Sequence, residues 1–243
     1  MKHLFPFFLL ILFACNDPGA PDCFKQAGDP GARTYKLKGL VHHLEVYDLI
    51  DVEITDGDDS LIIVEGPENL LNEIEVDFSN GNLNLRNHST CDFVRDLGIR
   101  MKVRVEAPEL AKLVYHGQGD VLFRDTLKTP LFVCEIHNGA GDVFIRHSGE
   151  TSEVYCHTGV SDVYMEGNAF RTSLFHQGMG VFDASAYPAN IVNSNNNSIN
   201  SLYLNSIDYL FALIQSNGNT YYKGNPWQID EVDQGNGDLI PLN

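Results

Sequence analysis

A glycine-aspartate corner returns again and again down this chain and leaves few folds open to it. "YHGQGDVLF" begins at Tyr115, "IHNGAGDVFI" at Ile136, "CHTGVSDVYM" at Cys156 and "FHQGMGVFDA" at Phe175. Weaker copies follow as "VNSNNNSINS" from Val192, "IQSNGNTYYK" from Ile214 and "VDQGNGDLIP" from Val232. Asp120 and Asp142 stand 22 residues apart, Asp142 and Asp162 stand 20 apart. A phosphate-cradling loop opens one helix at one place and does not recur. The lysine-serine or lysine-threonine ending of such a loop is also missing here.

Between corners lie short runs in which apolar and polar residues alternate, such as Phe132-Val133-Cys134-Glu135-Ile136 and Val163-Tyr164-Met165. That period of two, rich in β-branched and aromatic residues and punctuated by Gly, Asn and Asp, marks β-strands. Recurring corners and alternating strands together predict an all-β chain, a parallel β-helix or β-solenoid with irregular coils of roughly 17–22 residues. The N-terminal portion is β-rich too, from Leu44 to Gly66, Asn82 to Asn87 and Ile99 to Gly117, with one turn-rich or helical segment near Asn69–Ile74. These strands are expected to close one end of the stack against edge pairing.

The corners are expected at Gly117, Gly119, Asp120, Gly139, Gly141, Asp142, Gly159, Asp162, Gly178 and Gly180. Glycine adopts positive φ freely, and a bulkier corner would meet its neighbours in the coils above and below. The stretch Asn193–Ser201 reads as an asparagine-rich corner of the same kind. Aligning the copies on their corners gives a polar ladder of His116, His137, His157 and His176. Stacking and hydrogen bonding suit that ladder better than metal binding, because equivalent positions one coil apart are too widely spaced for one ion's ligands. Neither a metal nor another cofactor is expected. Tyr221, Tyr222 and Trp227 offer an aromatic patch that could stack on a sugar, although core packing is favoured for at least one of them. "GNGDLIPLN" ends the repeats, where Pro241 lacks a strand donor. So slight a cap admits self-association.

The first residues suggest export. Leu4–Ala14 is an apolar run with the length of a signal-peptide core, too short to span a bilayer, and Cys15 follows small Ala14. The reading is a lipoprotein signal over 1–14, lipidation of Cys15, a Gly/Pro/Asp-rich flexible tether over 15–33, and one folded domain over 34–243. Acyl chains on Cys15 would hold the protein to membrane lipid at the bacterial envelope, as an outer-membrane lipoprotein facing the periplasm or the cell surface. Cys23, Cys91, Cys134 and Cys156 remain, and both disulfides and buried free thiols stay open for them. Acidic residues outnumber basic ones by 33 to 16, which argues against nucleic acid as a partner.

Three stretches together, "DLIDVEITDGDDSLIIVEG", "VRVEAPELAKLVYHGQGDVLF" and "NGAGDVFI", resemble the Bacteroidetes auto-transporter adhesin family known as the head GIN domain. The resemblance spans about Leu37 to Leu242 and implies an exported, often lipoprotein-associated β-solenoid. The expected function is therefore a non-catalytic, lipid-anchored envelope module binding a glycan or protein, with a structural, self-associating role as the alternative. A polysaccharide-processing enzyme is the third reading. It is disfavoured because Asp120, Asp142 and Asp162 occupy interchangeable corners rather than distinct acid and base environments, and no Ser-His-Asp, G-x-S-x-G or HExxH arrangement is present.

Overall fold

A computed structural model describes residues 27–57, 59–89 and 100–242. The expected signal segment, Cys15, Cys23 and Cys91 lie outside the described residues. The chain runs through β1 (Pro30–Lys36), β2 (His43–Asp48), β3 (Asp51–Thr55) and β4 (Leu61–Pro67), then a 3₁₀ turn over Glu68–Glu73, β5 (Ile74–Ser79) and β6 (Asn82–Asn87). Next come β7 (Lys102–Glu106), β8 (Lys112–Gly117), β9 (Val121–Phe123) and β10 (Leu131–Ile136). The long strands β11 (Val143–Cys156), β12 (Val163–His176), β13 (Phe182–Asn196) and β14 (Leu202–Ile214) precede β15 (Thr220–Lys223), β16 (Gln228–Asp233) and β17 (Leu239–Pro241).

These strands form one continuous sheet wound into stacked coils with two walls. On one wall β2, β8 and β10 are followed by the second halves of β11 to β14 and then by β16, all in parallel register. On the other, β7, β3 and β9 are followed by the first halves of the same long strands, then by β15 and β17. Val143 pairs with Val163, Val163 with Phe182 and Phe182 with Leu202, steps of 20, 19 and 20 residues. The coil is therefore irregular, as the uneven spacing of the corners predicts. Alternation sends every second side chain inward, so equivalent residues stack into core columns. One column runs Val46, Tyr115, Ile136, Cys156, His176, Asn196 and Ile214.

The N-terminal strands close the first end. β4 pairs antiparallel with β7, β1 antiparallel with β4, and β5 antiparallel with β6. One sequence-based boundary moves: Pro30–Arg33, counted within the tether, belongs to β1, where it pairs with Val64–Pro67. The reason is that an antiparallel strand here satisfies the outer edge of β4, a requirement that Gly/Pro content does not report. Asn193–Asn196 likewise lies in β13 rather than in a corner, which begins beyond it. Cys134 and Cys156 are free thiols buried in the core columns.

Candidate functional site

Three surface features arise from the stacking, and each is fixed by register. The first is the corner itself. A Cβ on Gly119 would lie 2.2 Å from the Ile50 carbonyl oxygen, on Gly141 2.1 Å from that of Gly119, on Gly159 2.2 Å from that of Gly139, and on Gly180 2.0 Å from that of Ser161. At Gly117, Gly139 and Gly178 the nearest atoms are side chains, those of Tyr115, Ser161 and Cys156. Of these seven glycines only Gly159 has positive φ. Closeness of neighbouring atoms, in an adjacent coil at all but Gly117, where Tyr115 of its own strand is nearest, and not a left-handed backbone, is what excludes a side chain at the others.

The corner aspartates tie successive coils together. The Asp51 carboxylate accepts the Asp120 amide at 3.0 Å, Asp120 accepts the Asp142 amide at 3.0 Å, and Asp162 accepts the Val181 amide at 2.7 Å. The Asp162 amide approaches the Asp142 carboxylate without reaching hydrogen-bond geometry, while burial, followed by the neighbouring carboxylates of Asp162 and Asp120, raises the Asp142 pKa. Carboxylates engaged as acceptors from backbone N–H groups are structural staples rather than poised acids. Tyr115, fully buried, completes the corner by donating to the Gly119 carbonyl and accepting the Gly141 amide at 3.1 Å.

The second feature is a ring stack across the coils. Arg86 covers Tyr47, Tyr47 stacks on His116 at 4.7 Å, His116 on His137 at 5.3 Å and His137 on His157 at 4.5 Å. His176 does not continue it. Cys156 pairs with His176, so His176 points inward and is fully buried, while Gln177 follows His157. A slip of one residue moves a side chain to the opposite face. Burial lowers the His176 pKa to about 4, and the Gly180 amide approaches its ring without reaching hydrogen-bond geometry. Phe175 takes the outward place beside His157, its ring 5.5 Å away and tilted by 50°.

The third feature is a groove of about 460 Å³ on the outer face of β11 to β14. Tyr155 pairs with Phe175, Phe175 with Asn195 and Asn195 with Leu213, while Ser173, Asn193 and Phe211 form the parallel outward column. Short side chains on the middle rungs thus lie between larger ones on either side, and the depression follows. Its floor is Ser173, Asn193 and Asn195; its walls are Tyr155, His157 and Phe175 opposite Phe211 and Leu213. The Asn195 side-chain carbonyl oxygen is buried there without a hydrogen-bond partner. Burial lowers the His157 pKa, with His137 as the second cause, so the imidazole is neutral near pH 7. Burial first, then the hydrogen bond to Glu153, pushes the Tyr155 hydroxyl up to about 12. Volume, aromatic walls and a few convergent polar groups are the attributes of a ligand site.

The aromatic residues singled out from sequence are distributed differently. Tyr221 stacks on Tyr203 at 4.9 Å on the opposite wall, Tyr222 packs against the core, and Trp227 is exposed. They form no single platform. The groove was missed because its signal is an absence of bulk, Ser173 and the two asparagines between aromatic rungs, which appears only once register is known. Among the described residues, no group of three or more His, Cys, Asp or Glu side chains is placed to hold a metal ion.

The family described as "Putative auto-transporter adhesin, head GIN domain" matches residues 42–226. A crystal structure described as a "putative adhesin" from Bacteroides fragilis is similar with a TM-score of 0.79 and 22% identity, covering 88% of this chain and 97% of that one. Another "putative adhesin", from Parabacteroides distasonis, has a TM-score of 0.67 at 15% identity, covering 88% and 98%. A "Putative lipid binding protein" from the same species has a TM-score of 0.62 at 19% identity, covering 89% and 98%. These likenesses establish the fold. No curated protein matches the chain.

Proposed function

From the premise that this chain belongs to the head GIN domain family, we propose that it is a non-catalytic binding module of the bacterial envelope. Cys15 carries the lipid that anchors it to a membrane, and the solenoid presents its outer wall to a macromolecule, a glycan or a protein. The observation that carries this reading is the groove on β11 to β14, which combines open aromatic surface with an unpartnered buried acceptor. It holds no nucleophile–base pair and no pair of carboxylates, so its chemistry is recognition. The carboxylates that the chain does align, at the corners, are committed to backbone amides.

Self-association is the weaker alternative. β16 exposes all six of its residues, which would allow another strand to pair. Asp230, Glu231 and Asp233 lie within that strand, however, and like charges brought together across a pairing edge oppose it.

The test is binding of the folded chain to arrays of envelope and extracellular-matrix glycans and proteins, paired with protease accessibility on intact cells. Saturable binding, lost when Ser173→Trp fills the groove, supports the reading. Folded protein that binds nothing across the arrays, or whose binding is indifferent to Ser173→Trp, contradicts it.

A further inference from the structure

The surface ring stack ends at the groove, and the way it ends bears on the ligand. Along Tyr47, His116, His137 and His157 each ring is covered by its neighbour, so a ligand meets mainly ring edges. Beyond His157 the outward residue is Phe175, tilted by 50°, and its partner on the next rung is Asn195. The next bulky residue in that column is Leu213, two rungs from Phe175. Two rungs are about 10 Å. Apolar contact occupies about 3.5–4 Å on each face of an inserted ring. The break in the column therefore admits one ring, standing on the asparagine floor with its faces toward Phe175 and Leu213.

The polar groups define the edge of that ring. Asn193 and Asn195 line the groove, and each carries a side-chain amide capable of both donating and accepting. Among the residues that line the groove there is no Asp, Glu, Lys or Arg. In a chain of net charge −17, an anionic ligand would find no cation here to offset the surrounding field. A ring with apolar faces, hydroxyl donors around its edge and no charge meets all three conditions.

We propose that the groove between Phe175 and Leu213 binds a neutral sugar ring of a glycan, held by Asn193 and Asn195. This rests on the reading of the chain as a binding module and names its ligand class. The side-chain amides of Asn193 and Asn195 hydrogen-bond the sugar hydroxyls, Phe175 and Leu213 cover the two faces of the ring, and Phe211 packs against the adjoining residue of the glycan. Binding of this kind is driven by apolar contact and neutral hydrogen bonds and depends little on salt.

The experiment is calorimetric or NMR titration of the folded chain with neutral oligosaccharides (cellotetraose, mannotetraose and an N-acetylglucosamine oligomer), beside oligogalacturonate and a tryptophan-containing peptide. Saturable binding of at least one neutral oligosaccharide is expected. Phe175→Ala and Asn195→Leu should weaken it by roughly tenfold or more, the scale of one lost stacking or buried polar contact. Ser173→Trp should abolish it, and Phe170→Ala, exposed on β12 and not among the groove residues, should leave it unchanged. All four side chains face outward or lie partly exposed, and unchanged thermal midpoints establish that the variants are folded. No neutral saccharide binding at concentrations up to about 10 mM overturns the proposal, as does sugar binding undiminished by Ser173→Trp. A groove that takes the peptide or the acidic saccharide instead overturns the sugar assignment and leaves the binding module standing.

Discussion

Gly141 and Gly39 separate two uses of glycine that composition cannot. A Cβ at Gly141 would meet the Gly119 carbonyl at 2.1 Å, whereas at Gly39 the nearest atom is 3.8 Å away, on Phe78. Gly141→Val should therefore cost about 2–4 kcal/mol, as overpacking against a backbone that cannot yield, while Gly39→Ala should stay within about 0.5 kcal/mol. Urea denaturation midpoints check both. Asp142 offers a second contrast. Its raised pKa means that the folded state disfavours its charge, yet its oxygen faces the Asp162 amide. Asp142→Asn retains the acceptor without the charge and should be neutral or stabilising at pH 7, whereas Asp142→Ala should lose about 1 kcal/mol. The same pair of thermal melts distinguishes a staple from a catalytic acid, for which both substitutions would be silent in stability.

At the scale of the strand, the repeat and its period of two were legible because every coil obeys the same backbone geometry. Register within the coil was less legible. Aligning on glycine equates Gly159 with Gly178, 19 residues on, and so equates His157 with His176. The strands instead keep a step of 20 through Cys156 and His176, and the lost residue falls in the following corner, before Phe182 pairs with Val163. A single deletion in a loop is invisible to a motif but inverts one side chain. The consequence is measurable. With its folded pKa about 4, below the unfolded 6.5, His176 binds fewer protons folded than unfolded between those values. Stability is then full above pH 6.5 and falls on acidification toward pH 4, by about 2 kcal/mol between pH 7 and pH 5. His176→Leu should remove that contribution; a surface His176 would leave the pH dependence unaltered by the substitution. Glu53 acts lower. Arg124 first, with Lys102 also lowering it against the opposing effect of burial, holds its pKa at about 2, and Arg104 lies 3.6 Å away. The clasp joins β3 to β7 and to the chain just after β9. It stabilises fully above pH 4.5 and is lost as pH falls toward 2, and Glu53→Gln should cost about 2 kcal/mol at pH 7, discounted for the exposure of its partners.

Across the whole molecule, the candidate groove is a product of irregularity in an otherwise repetitive surface. Regular coils place like residues over like, giving the aspartate staples and the histidine stack, and regular ladders leave no cavity. The groove exists where Ser173, Asn193 and Asn195 interrupt the bulky outward columns. Composition and repeats therefore revealed the scaffold, but not the groove proposed to take the ligand, since it is defined by residues 18 to 20 positions apart meeting across rungs. All of this depends on successive coils being stacked in the stated register. The most direct test is oxidation of the double variant Ser148→Cys, Asn168→Cys, followed by peptide mapping. Ser148 and Asn168 pair across adjacent coils, and their side chains meet at 3.0 Å on the exposed surface, within the reach of a disulfide. The stacked-coil account predicts that the two introduced thiols join to each other under mild oxidation in the folded monomer. Folded monomer in which they stay apart, or in which either joins a different cysteine, would contradict it.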